Sequence, residues 1–381
     1  MARIIHRWLT LLTVLAVVSA CSPSRLVDTT RLLADIGAGD GPSTLKENTP
    51  HPRRETIDFD VDGRRTVADL YTLASPTAGP LAGLVLVPGL ATTGKDDSRL
   101  VAFANSLARA RFQVLVPDLP NMRKLRVNAG DARIIADAAI YLHSLDPERP
   151  LGMTAISFAA GPMVGALFEP GIADQVDFMI TVGGYYDLEA VITFFTTGYY
   201  RDGADAPWQY RRPNVYGKWV FVLSNVRVLD DPADRVALIT MAERRLDDPE
   251  ADISDVAEGL GPQGQAVYAL LTNDDPDRVP ALLAELPEAV TAEIAALDLK
   301  RRDLSDLKVQ FVLVHGRDDP IIPETESMAF ADAVAPGQAD LYLLESFQHV
   351  NAAELGLSDK LTLLSAVYTV LGFRDARGSG D

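Results

Sequence analysis

Residues 151–161 read LGMTAISFAAG, and the reading of this run decides the fold. Leu151 to Ile156 is a continuous apolar run of strand length, and from Phe158 to Phe168 the pattern becomes helical, so Ser157 falls where a strand turns sharply into a helix. A serine held in a strained turn needs small neighbours, because the chain on either side packs closely, and Ala155 and Ala159 supply them. The helix beginning at Phe158 aims its free N–H groups toward the serine oxygen. Serine also caps helices without doing chemistry, and the pentapeptide by itself leaves both readings open.

Working outward, the same grammar repeats. Leu84 to Val87 precedes a helix near Ser98 to Arg109, Phe112 to Val116 precedes one near Asp131 to Ser144, and Val176 to Val182 supplies a further strand. Strand and helix in alternation predict an α/β fold, a mostly parallel sheet flanked by helices on both faces. Ahead of it Ile57, Phe59 and Val61 alternate, and Asp62-Gly63 before a second extended run, Arg64 to Tyr71, marks a hairpin. The alternation stops between Tyr185 and about Leu304, where the sequence is helical in character and punctuated by prolines. Residues 186–304 are therefore expected to be a helical cap inserted into a core of residues 55–185 and 305–381. Strands resume at Val309 to Val314 and Asp340 to Leu344, with helices near Glu324 to Val334 and from about Ser358 to Leu371.

Parallel sheets bind ligands at the carboxyl ends of their strands, so the loops there hold the candidates. Ala155-Ile156-Ser157-Phe158-Ala159 resembles the G-x-S-x-G nucleophile elbow, with alanine in both glycine places. In Gly316-Arg317-Asp318-Asp319 the second aspartate stands three residues after the glycine, which resembles the G-x-x-D acid loop of the α/β-hydrolases. Asp318 is the bland alternative, a solvated turn residue, and Asp187 a weaker alternative acid. Of the five histidines, His6 leaves with the leader, His51 lies in a tether, His143 on a helix flank, and His315 at a strand end where local hydrogen bonding is expected. His349 follows the strand Asp340 to Leu344, where the α/β-hydrolase family carries its base, and the chain order Ser157, Asp319, His349 is that family's order. The resemblance, which covers about residues 55–190 and 305–375, implies an α/β-hydrolase fold with these three as catalytic triad. It also implies an oxyanion hole formed by the N–H groups of Phe158 and of Leu90 in the loop Pro88-Gly89-Leu90; Pro88 replaces the usual histidine without touching the Leu90 amide.

At the N-terminus Arg3, His6 and Arg7 precede an apolar stretch from Trp8 to Ala20, shorter than the roughly 20 residues a membrane helix needs, so residues 1–20 read as a secretory signal. Val18-Ser19-Ala20-Cys21 resembles the lipobox of bacterial lipoproteins, in which the cysteine is acylated, and Cys21 is the single cysteine of the chain. An internal disulfide is thereby excluded. Residues 21–54, rich in glycine and proline, are expected to be a tether with little fixed structure. By resemblance, Ser22 after the cysteine implies the outer membrane, facing the periplasm, in a Gram-negative host. The formal charge of −18 grows more negative when Arg3 and Arg7 leave, which argues against nucleic acid as a partner.

The expected function is a lipid-anchored serine hydrolase acting on an ester, thioester or small amide, with neither metal nor organic cofactor. Aromatic residues from Phe194 to Phe221 suit an apolar pocket over the serine or, more plainly, glue the cap to the core. Two rivals stand beside this: a non-catalytic envelope lipoprotein on the same fold, and an aminopeptidase-like hydrolase drawing on cap acids such as Asp202 and Asp205.

Overall fold

The computed structural model of the protein describes residues 22–74, 79–347 and 355–376; residues 1–20, Cys21 and His349 lie outside the described residues. Asp62 and Gly63 turn as their residue types dictate, with φ of 52° and 80°, joining β1 (Arg53–Val61) to β2 (Arg64–Thr72) as an antiparallel hairpin. The apolar runs become β3 (Ala82–Leu86), β4 (Phe112–Pro117), β5 (Leu151–Ile156) and β6 (Phe178–Val182). After a small hairpin, β7 (Tyr199–Tyr200) and β8 (Gln209–Tyr210), the sheet is completed by β9 (Gln310–Gly316) and β10 (Ala339–Leu344). The strand order is β1-β2-β4-β3-β5-β6-β9-β10; β1, β2 and β4 pair antiparallel, and every pairing from β4 to β10 is parallel. Burial on both faces is why β3 and β5 read as unbroken apolar runs rather than as alternation.

One face of the sheet packs against the Asp131–Ser144 and Thr325–Ala333 helices and the insertion between β6 and β9. The other packs against the Pro23–Ala38, Ser98–Arg109 and Leu357–Asp375 helices. Within the insertion the chain is mainly helical, in the segments Leu188–Thr197, Tyr216–Asn225, Pro232–Asp247, Pro262–Thr272 and Glu288–Leu297. Pro232 and Pro262 open their helices, the one place where a missing N–H costs nothing.

The first described residues overturn the expectation of little fixed structure across the tether of residues 21–54. Ser22 caps a helix, Pro23–Ala38, whose Leu32 is 2% exposed, and Ser43 caps a second short one, Thr44–Asn48. The helix is fastened to the last helix by Arg25 on Asp375 (2.9 Å), by Arg374 on Asp28 (3.0 Å), and by the Ser22 N–H donating to the Tyr368 hydroxyl (2.8 Å). Its glycines do not dissolve the segment because they fall at the end: Gly39, at φ 52°, terminates the helix instead. Among the described residues no helix is long and apolar enough to cross a membrane.

Candidate active site

Ser157 stands at the carboxyl end of β5, half-buried, with φ of 59°. A left-handed conformation in a residue with a side chain costs about 1–3 kcal/mol and persists only where the surroundings impose it. Here they do, because the helical segment after Ser157 is pressed onto the loop after β6. A Cβ on Gly161 would overlap the Tyr185 hydroxyl, and one on Gly184 would lie 2.9 Å from the Ala160 side chain. Ala155 and Ala159 are both buried, so the closeness that glycines would allow beside the serine is carried by Gly161 and Gly184 instead.

Register then sets what faces Ser157. Ile156 is level with Val182 on β6, and Val182 with Val314 on β9. Strands two apart in a sheet are separated by about 10 Å, a span that one imidazole bonded at both ends can bridge. Asp319, three residues past β9 and 1% exposed, accepts the N–H groups of Ile321 (2.8 Å) and Ile322 (3.1 Å) through Oδ1. Its Oδ2 leans over β6, within 3.2 Å of where a Cβ on Gly183 would stand, and Gly183 has φ of 61°. Glycine suits that position twice, for its backbone and because a side chain would crowd the carboxylate.

The other acids have other work. Asp318 is no freely solvated turn residue: half-buried, it accepts the Phe347 N–H (3.1 Å). Asp359 accepts the N–H groups of Glu345 (2.8 Å) and Ser346 (3.1 Å). These two carboxylates fix residues 345–347, the root of the segment carrying His349. Asp187 caps the Leu188–Thr197 helix and pairs with Lys300 (2.7 Å). His315 is buried and bonds locally, as expected: Nε2 donates to the Ile322 carbonyl (2.9 Å) and Nδ1 meets the Ser327 hydroxyl (2.7 Å).

On the other side of β5, the Val87 N–H donates to the Thr154 carbonyl (2.9 Å) and carries the β3 pairing past the strand end. Pro88-Gly89-Leu90 is thereby brought alongside Ser157. Among the described residues the Leu90 N–H makes no hydrogen bond, and the Phe158 N–H lies in a first helical turn, where no intrahelical acceptor exists.

The insertion reaches this edge through polar contacts between residues far apart in the sequence. Arg211 donates to the Asp319 carbonyl, the Glu324 carboxylate and the Tyr200 hydroxyl, each at 2.9 Å, and stacks over the Tyr200 ring. Beside it the Asn214 N–H donates to the Pro320 carbonyl (2.7 Å). Glu326, fully buried, accepts the N–H groups of Tyr186 (3.0 Å) and Asp187 (2.7 Å); burial, with Asp187 and Asp298 nearby, pushes its carboxyl up to about 8. On the far side Glu293 accepts the Asn128 amide and the Ala129 N–H. Burial raises the neighbouring Asp131 to about 6, with Glu293 adding to the rise and the Asn121 hydrogen bond opposing it. Sequence reasoning missed Arg211, Glu326 and Glu293, since nothing local distinguishes them from solvated charges.

No protein-family model matches the chain, and no curated protein matches it. Among solved structures, an acylaminoacyl peptidase bound to a chloromethyl ketone superposes with a TM-score of 0.50 at 10% identity, over 86% of this chain and 42% of its own. The chain thus spans less than half of that protein. A Legionella pneumophila protein described as a hydrolase superposes with a TM-score of 0.50 at 11% identity, over 93% of this chain and 96% of its own. The fold they share with this chain is the α/β-hydrolase fold.

Proposed function

We propose that this α/β-hydrolase fold carries a serine hydrolase that cleaves a carboxylic ester, a thioester or a small amide. The observation that carries the proposal is the left-handed Ser157 at the carboxyl end of β5, with Asp319 buried at the end of β9, two strands along and across Gly183. As Ser157 Oγ bonds to the carbonyl carbon, His349 accepts its proton, and Asp319 holds the imidazole and stabilises its charge. The N–H groups of Phe158 and Leu90 receive the oxyanion. Collapse breaks the bond to the leaving group, which takes the proton from His349. Water, deprotonated by the same imidazole, then releases the acid and restores Ser157. Labelling with a fluorophosphonate probe tests this: the wild type reacts and Ser157→Ala does not. A folded wild type that resists the probe and hydrolyses no ester would end the proposal.

The reading extends to the membrane. Val18-Ser19-Ala20-Cys21 supports lipidation of Cys21, and Ser22 supports the outer membrane in a Gram-negative host. Since Ser22 already caps a helix docked on the body, a lipid on Cys21 would hold the enzyme close to the bilayer. Palmitate incorporation and membrane fractionation of wild type and Cys21→Ser test it; an unlabelled, soluble wild type overturns it.

A further inference from the structure

We propose that the cavity beneath the insertion is an acyl subsite that prefers short acyl groups bearing a hydrogen-bond donor, a hydroxyl or an amine, over plain alkyl chains. This rests on the serine hydrolase reading and adds a substrate class to it. The cavity, about 40 Å³, has Phe158 in its wall, the residue directly after Ser157. Tyr185, whose ring centroid lies 6.3 Å from that of Phe158, and Phe195, Val220 and Leu297 make the rest of the wall largely apolar.

Its polar atoms are one-sided. Tyr185 donates its hydroxyl to the Leu297 carbonyl (3.1 Å), and the Ser224 hydroxyl donates to the Val220 carbonyl (2.7 Å) while accepting the Val127 N–H (3.0 Å). The two hydroxyl donors lining the cavity are therefore spent within the protein. Asn225, 7% exposed, likewise gives Nδ2 to the Phe221 carbonyl (2.9 Å), which fixes the orientation of its amide and leaves Oδ1 buried with no partner. Native structures hold few such atoms, and none of the other unpartnered buried side-chain oxygens and nitrogens among the described residues belongs to a residue lining this cavity. Glu293, whose Oε1 takes both bonds from the Asn128–Ala129 segment, adds a carboxylate. A cavity that offers an unpaired buried acceptor and a carboxylate, with its hydroxyl donors already engaged, favours a group that donates and disfavours a carboxylate. The volume confines that group to a few heavy atoms.

The test compares kcat/KM for paired p-nitrophenyl esters of acyl chains three to five carbons long. Each hydroxyl- or amino-bearing ester is set against the ester with methyl in that position. In the wild type the donor-bearing member of the best pair is expected to lead by about tenfold or more, because the methyl analogue leaves Oδ1 unpaired. In Asn225→Leu that ratio is expected to fall toward one, whatever the absolute rates, and fluorophosphonate labelling of Ser157 reports whether the variant is folded. Ratios near one for every pair in the wild type overturn the proposal without needing any variant. So does a tenfold ratio that survives in a labelled Asn225→Leu. Labelling of wild-type Ser157 with flat ratios removes this subsite alone, whereas absence of both labelling and hydrolysis removes the hydrolase reading and this inference with it.

Discussion

The carboxyl edge of the sheet and the seam by which the insertion meets it are built from different materials. Around Ser157 the geometry is enforced by backbone and close packing: parallel register, a left-handed serine, and glycines at 161, 183 and 184 where a side chain would meet its neighbours closely. Across the seam the contacts are hydrogen bonds made by charged side chains: Arg211 donates to the Asp319 carbonyl, Glu326 accepts N–H groups at the start of the insertion, and Glu293 accepts from the Asn128–Ala129 segment. Packing resists change collectively, while each polar latch can be removed singly or titrated. The edge should therefore fail all at once and the seam by degrees.

The largest effect is expected at the edge. Asp319→Asn can keep the two backbone bonds at Oδ1 but places an amide where the proposed mechanism has a carboxylate hold the imidazole, so kcat should fall about 10⁴-fold with the fold intact. Ester hydrolysis measured beside Asp187→Asn decides it. A near-normal Asp319→Asn with a dead Asp187→Asn would move the acid to the end of β6. Next comes Gly161→Ala. The added methyl meets a fully buried Tyr185 that has nowhere to swing, and about 1–3 kcal/mol of stability should be lost in denaturant titration. An unchanged midpoint would mean that the edge yields more easily than its packing implies.

How much of this was legible in the sequence follows the same division. The Asp62-Gly63 turn, the Asp131–Ser144 helix and β5 declared themselves through rules of local chemistry, and so did the loops that carry Ser157 and Asp319. The helix Pro23–Ala38 was masked by glycines at 37, 39 and 41, although a serine followed by proline ahead of Leu26, Leu32 and Leu33 is a start signal that outweighs glycines at the far end. Arg211 was illegible for a deeper reason. Its partner Asp319 lies 108 residues away, and no periodicity marks an arginine that will cross such a distance. Glu326 looked like any glutamate in a first helical turn; only tertiary burial makes its carboxyl unusual.

The seam should give graded effects. Arg211→Met removes three hydrogen bonds, one of them to the backbone of Asp319, and should lower kcat about ten- to a hundredfold with little change in KM, since the acid shifts while the cavity keeps its walls. A loss confined to KM would instead make Arg211 part of substrate binding.

The gentlest test titrates Glu326. Its carboxyl has an ordinary value of 4.5 and is pushed up to about 8 in the folded protein. Between those values the unfolded chain sheds the proton while the folded chain keeps it, so each unit of rising pH favours unfolding, by at most about 1.4 kcal/mol. Stability from the neutral carboxyl is complete below pH 4.5, declines through neutrality, and levels off above about 8. Glu326→Gln mimics the protonated form: its oxygen can accept the Tyr186 and Asp187 N–H groups, and it does not titrate. Melting curves should bring the variant from parity with wild type, or slightly below it, at pH 5 to a clear advantage at pH 8. Because both proteins share every other titrating group, their difference isolates this one latch, and parallel curves would show that the carboxyl is already ionised where the insertion joins the sheet.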